Sequence, residues 1–155
     1  MKTLILGMGN PIMTDDGAGI WAARALQDKV NQEEVTVMET GIAGLNLLEL
    51  LTGFDKAILI DAIQTREGKV GRVYRLKPEA FNDTRHAINP HGIDLSTALE
   101  LGSRLGVSLP QEIILFAIEA ADVDTFSENC TPEVAQAIPM ATDMVMQELN
   151  GGSHA

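Results

Sequence analysis

Ala57-Ile58-Leu59-Ile60-Asp61 is the stretch that decides the fold of this 155-residue chain. Four apolar residues in a row do not alternate as a strand with one wet face would, so they predict a strand covered on both sides, the central strand of a sheet flanked by helices. The run stops at an acid. An ionised carboxylate at the end of a buried strand must be compensated by hydrogen bonds, a cation or a metal, which makes Asp61 a candidate ligand as well as a boundary.

The same grammar extends in both directions. Upstream, Leu4–Leu6 reads as a first strand, followed by a Gly-Asn-Pro loop and a helix from about Asp16 to Val30 with Ile20, Ala23, Leu26 and Val30 on one face. Val35–Glu39 reads as a second strand. A glycine-bearing turn through Gly41 and Gly44 leads to a helix whose inward residues are Leu47, Leu48 and Leu51. Downstream, arginines interleave with Val73 and Tyr74 in the segment Val70–Leu76, which suits an antiparallel edge strand. A helix from about Ile93 to Leu105, a buried strand Ile113–Ile118 and a helix opening at Pro132 behind Thr131 as cap complete the order. The order βαβαββαβα predicts an α/β fold, a three-layer α/β/α domain on a mixed, mostly parallel sheet of about five strands. One domain over residues 1–150 and a frayed tail over 151–155 are expected.

Composition narrows the partners. A formal net charge of −11 sets the molecule against phosphate backbones and anionic lipid surfaces, so neither nucleic acid nor a membrane is an expected partner. Cys130 is the only cysteine, which excludes an intrachain disulfide, a thiolate metal cage and a Cys-x-x-Cys redox pair. The apolar run after Lys2 ends at Gly7, too short for a signal segment or a span, and the expectation is a cytoplasmic protein. The oligomeric state is not written in the sequence.

Gly7-x-Gly9-Asn10-Pro11 after a first strand invites a dinucleotide-binding reading. Ile12 stands where the third glycine belongs, however, and Asp15 and Asp16 would repel the phosphates the turn is meant to hold. Carboxylates at a helix start ordinarily cap free amides, and one of the two acids is expected to do only that. The second is surplus to capping. It lies in a loop at the carboxyl end of a strand, where open α/β sheets place ligands. His91, in Asn89-Pro90-His91-Gly92, reads alone as a loop histidine; with the second acid and Asp61 it completes a two-carboxylate, one-imidazole set suited to a divalent metal. His86 and His154 are the less favoured histidines. Cys130 has no motif that would supply it with a base, and reads as packing.

The blocks Ile5-Leu6-Gly7-Met8-Gly9-Asn10-Pro11, Asp15-Asp16-Gly17-Ala18-Gly19, Ile60-Asp61-Ala62 and Pro90-His91-Gly92 together resemble the hydrogenase maturation endopeptidases, over nearly the whole chain. The resemblance implies a peptide-bond hydrolase that trims the C-terminal extension of a nickel-loaded [NiFe] hydrogenase large-subunit precursor. Its metal-contacting positions match Asp16, Asp61 and His91. It further implies that nickel arrives with the precursor rather than as a permanent cofactor. Asn10, Thr40, Gly41 and Gly44, in the loops after the first and second strands, are the candidate substrate contacts. The other class of function open to the same ligands is a non-enzymatic, nickel-dependent binding protein or chaperone for the precursor. Two departures from the family pattern, Thr40-Gly41-Ile42-Ala43-Gly44 after the second strand and Ala120 rather than proline after Glu119, bear on which hydrogenase is served.

Overall fold

The computed structural model describes residues 1–41, 45–77 and 95–151. In chain order these form β1 (Thr3–Met8), a 3-10 turn (Thr14–Gly17), α1 (Ala18–Gln27), β2 (Val35–Thr40), α2 (Leu45–Leu51), β3 (Lys56–Ile63), β4 (Val73–Leu76), α3 (Leu95–Arg104), β5 (Glu112–Glu119) and α4 (Pro132–Leu149). The sheet runs β2-β1-β3-β5-β4. Its first four strands are parallel and β4 pairs antiparallel with β5, the mixed sheet expected from the arginine-laced edge segment.

The side-chain alternation of each strand divides the core in two. Ile5, Ile58, Ile60, Ile114, Phe116 and Ile118 face α1 and α4. Leu4, Leu6, Met8, Ala57, Leu59 and Ile113 face α2, with Leu99 of α3 packed against the same cluster. Each fully buried Leu or Ile contributes about 1.5–3 kcal/mol relative to exposure, which is why a strand with no polar face forms at all. Central β3, buried along its whole length, is the strand that Ala57–Ile60 announced.

Three local expectations need correction. The first helix does not begin at Asp16: Asp15 and Asp16 sit in the 3-10 turn, and α1 runs only from Ala18 to Gln27. β3 does not stop at Asp61 but continues to Ile63, because Asp61, Ala62 and Ile63 keep their pairing with Ala117, Ile118 and Glu119 of β5. The edge strand begins at Val73 rather than Val70, since Gly71 turns with φ +88° and donates its N–H to Glu119 O at 2.9 Å.

Chain order and sheet order together create a crevice. β1 connects through α1 to β2 on one side, and β2 returns through α2 to β3 on the other, so the connections leave the carboxyl ends of β1 and β3 in opposite directions. This switch point is where open α/β sheets bind ligands. Helix α1 seats directly upon it: a Cβ at Gly19 would overlap the carbonyl oxygens of Ile60 and Met8, so only glycine allows this approach.

Candidate active site

The loop after β1 enters the crevice through Gly9, whose φ of +141° is open to glycine alone and whose N–H donates to Thr40 O at 3.0 Å. Asn10 then turns back: its Oδ1 accepts the Ile12 N–H at 3.2 Å, and its own N–H donates to Asp16 Oδ2 at 3.2 Å. Thr14 is forced into the left-handed region at φ +53°, a conformation that costs a β-branched residue of order 1–3 kcal/mol unless its surroundings impose it. They do. The Thr14 hydroxyl donates to Thr125 O, its N–H donates to Ser127 O at 3.0 Å, and the Ser127 N–H donates to Ile12 O at 2.9 Å.

This fastening gives the two consecutive acids different work. Asp15 is fully buried and accepts the N–H groups of Thr131 (2.7 Å), Ala121 (2.9 Å) and Asp122 (3.0 Å), together with the Thr131 hydroxyl (2.8 Å). It ties the 3-10 turn to the β5–α4 loop and to Thr131, the residue just before α4. The capping expected from sequence is therefore displaced twice. Asp15 caps no helix of its own but holds Thr131 at the entry to α4, and the Thr131 hydroxyl, expected to cap α4, is spent on Asp15. Asp16, 6% exposed, is left at the crevice.

Asp61 is likewise buried, and its Oδ1 accepts the Ala62 N–H at 2.8 Å. It shares the strand face of Ala57 and Leu59, the face covered by α2 and α3. The 3-10 turn that carries Asp16 packs on β3, so the structure brings these two carboxylates to neighbouring elements at the carboxyl end of the sheet. Neither is isolated, since both make further interactions beyond those named. Asn10 and Thr40 border the same crevice, and a Cβ at Gly41 would lie 3.5 Å from Gly9 O. Gly44 and His91 lie outside the described residues, as does His86. Among the described residues, no three His, Cys, Asp or Glu side chains converge as a metal site.

Two further groups lie at this end of the sheet: Glu119, whose clamping role was not foreseen from sequence, and Cys130, read there as packing. Glu119, buried at the end of β5, accepts the Thr65 N–H (2.7 Å), the Thr65 hydroxyl (2.6 Å) and the Tyr74 hydroxyl (3.0 Å), and so clamps the β3–β4 turn that follows Asp61. Burial, then the hydrogen bond to Glu119 and its charge, push the Tyr74 phenol up from its ordinary range and keep it a donor. The second is Cys130, whose thiol points at Thr14 O at 3.7 Å. Burial, and then the nearby Asp15 carboxylate, push it up to about 11, so at neutral pH it is a protonated thiol and no nucleophile. No local sequence signal could have paired Asp15 with Thr131, since they stand 116 positions apart.

The hydrogenase maturation protease family model matches residues 20–148. The chain is 26% identical over 151 residues to the hydrogenase 2 maturation protease of Escherichia coli, spanning 96% of this chain and 91% of that one. Among solved structures, the hydrogenase maturating endopeptidase HybD from E. coli superposes with a TM-score of 0.80 at 26% identity, over 97% of this chain and 94% of that chain. The [NiFe] hydrogenase maturation protease HybD from Thermococcus kodakarensis does so with a TM-score of 0.75 at 29% identity, over 95% and 98% of the two chains.

Proposed function

The chain belongs to the hydrogenase maturation protease family, and we propose that it removes the C-terminal extension of a nickel-loaded [NiFe] hydrogenase large-subunit precursor, gripping the nickel through Asp16, Asp61 and His91. What supports this reading is that the turn bearing Asp16, fastened from behind, packs against β3, the fully buried strand that bears Asp61, beside the switch point of β1 and β3. Two carboxylate oxygens and an imidazole suit a borderline divalent ion such as nickel. His91 precedes by four positions the residue at which α3 begins, and α3 lies on the sheet face that Asp61 shares.

In this account nickel belongs to the substrate. A precursor without it offers the acids nothing to hold, so assembly of the metal site is sensed before any peptide bond is cut. Asp16 needs a fixed direction for that recognition, and the strained Thr14 and the buried Asp15 supply it. Asn10, Thr40, Gly41 and Gly44 border the path of the precursor's C-terminal segment. The protein works on a soluble precursor in the cytoplasm; no helix among the described residues is long and apolar enough to cross a membrane.

Intact-mass measurement after incubation with nickel-loaded and nickel-free precursor tests the reading. A shortened subunit and a released C-terminal peptide are expected with nickel alone. A stable complex in which the nickel-loaded precursor stays full length would contradict proteolysis and favour a nickel-dependent chaperone.

A further inference from the structure

The β5–α4 loop presents Phe126 at 79% exposure, beside Ile12 at 47% exposure. The two belong to segments joined by the Met13–Ser127 bridge and by the hydrogen bond from Ser127 N–H to Ile12 O, so they stand together on the rim of the crevice that holds Asp16. A lone exposed Phe calls for no explanation, and a floppy loop could fold it away. This loop is not floppy. Asp15 holds both its ends, Thr14 binds its middle through Thr125 and Ser127, and Asp122 Oδ1 accepts the N–H groups of Asp124 and Thr125 at 2.9 and 3.0 Å. Phe126 is held out in solvent by a fastened scaffold.

The charge around it is one-sided. Beyond Arg104 the chain has eight acidic residues and no Lys or Arg, and Asp124 and Glu128 flank Phe126 on the exposed loop. Hydrogen bonds from the Thr125 side chain and the local N–H groups hold Asp122 below the usual carboxylate range, which keeps the loop anionic. A second copy of this chain, net charge −11, would bring like-charged loops together, and an anionic membrane or nucleic acid would be repelled. A polypeptide that places an apolar side chain on Phe126 and Ile12 and basic residues against Asp124 and Glu128 satisfies both features.

Resting on the function proposed above, we propose that Phe126 and Ile12, ringed by Asp124 and Glu128, form the docking surface for a basic, apolar-centred segment of the precursor close to the bond that is cut. The loop that bears this surface is tied through the buried Asp15 to the turn that carries Asp16, so a segment seated there lies beside the metal grip. It sets affinity and register, while Asp16 and Asp61 sense the metal.

Steady-state cleavage of nickel-loaded precursor by wild type, by the double variant Phe126→Ser/Ile12→Ser and by Asp124→Lys/Glu128→Lys tests this. Leu105→Ser, another exposed apolar position, serves as control. Each loop variant is expected to raise KM about tenfold with kcat within about twofold and an unchanged melting temperature, and the control to change nothing. Raising salt from about 50 to about 500 mM should raise the wild-type KM, and should do so far less for the charge-reversal variant. Cleavage by both loop variants with wild-type KM would overturn this inference alone. Wild type that neither binds nor cuts the precursor would overturn the proposed function and this surface with it. A Phe126-dependent dimer in sedimentation would assign the patch to self-association and overturn it too.

Discussion

The two ends of the sheet solve the problem of buried charge in opposite ways. At the amino end, Lys56 opens β3 and its ammonium lies 2.9 Å from Glu148 of α4 and 3.6 Å from Glu112, while Arg75 of the edge strand reaches the same Glu148 at 2.8 Å. Charge meets opposite charge. Burial pushes the Glu148 carboxyl up, but the hydrogen bonds and charges of Arg75 and Lys56 outweigh it and hold the group below the usual carboxylate range. At the carboxyl end, five residues further along the same strand, the acids Asp15 and Glu119 are held by neutral N–H and O–H donors, and Asp16 and Asp61 sit at the crevice. An ion pair neutralises a charge and leaves little for a ligand. Neutral donors fix a carboxylate in place and preserve its negative field, as a site that receives a cation requires.

If the amino end is purely structural, the largest stability effect comes from breaking it. Glu148→Ala leaves the buried Lys56 ammonium with only the longer 3.6 Å pairing to Glu112 and should cost about 3–5 kcal/mol, a fall in melting temperature of roughly 6–15 °C, with wild-type cleavage at temperatures where the variant is folded. Lost cleavage in a folded Glu148→Ala protein would break the division between the two ends. Asp15→Ala comes next. It removes four hydrogen bonds to one buried carboxylate, should cost about 2–4 kcal/mol, and should weaken cleavage as well, because the turn carrying Asp16 loses its anchor.

Acid titration sharpens the contrast. The folded value for Glu148 lies below its unfolded one, so the stability it carries is complete above about pH 4.5 and disappears as pH falls through the depressed folded value. Chemical-denaturation midpoints between pH 7 and 3 should show this loss in wild type and not in Glu148→Gln. The smallest effect belongs to Cys130. Cys130→Ala should change stability by about 1 kcal/mol or less and leave cleavage intact, and iodoacetamide at pH 8 should label the native thiol far more slowly than the unfolded one. Since burial raises the thiol's value, the small stability tied to its neutral form is lost only as pH climbs from about 9 towards about 11.

The sheet was legible in the sequence wherever burial alone determined the pattern. Ala57–Ile60 and Ile113–Ile118 read as covered strands because nothing polar interrupts them, and the alternating arginines marked β4 as an edge. Boundaries imposed by distant contacts were not legible. The 3-10 turn over Thr14–Gly17 exists because the β5–α4 loop grips it, and no local propensity announces a partner more than a hundred residues away. Asp61 stays within a strand rather than ending one because β5 continues to pair with it. Helix α4 passes through Pro139, a residue that ordinarily stops a helix; burial of Val134, Ala137, Ala141 and Val145 on either side outweighs the hydrogen bond lost. At the site, two adjacent acids stood out in the sequence, whereas the division of labour between them, Asp15 buried in the scaffold and Asp16 at the crevice, needed the fold.

The claim on which the account rests is that Asp16, Asp61 and His91 act together on substrate-borne nickel. Its most direct test is the rate of cleavage of nickel-loaded precursor by Asp16→Asn, Asp61→Asn and His91→Ala, each checked for a native melting transition. The account predicts a loss of at least about 100-fold in every variant with melting temperatures near that of wild type. Wild-type cleavage by folded Asp16→Asn and His91→Ala proteins would contradict it.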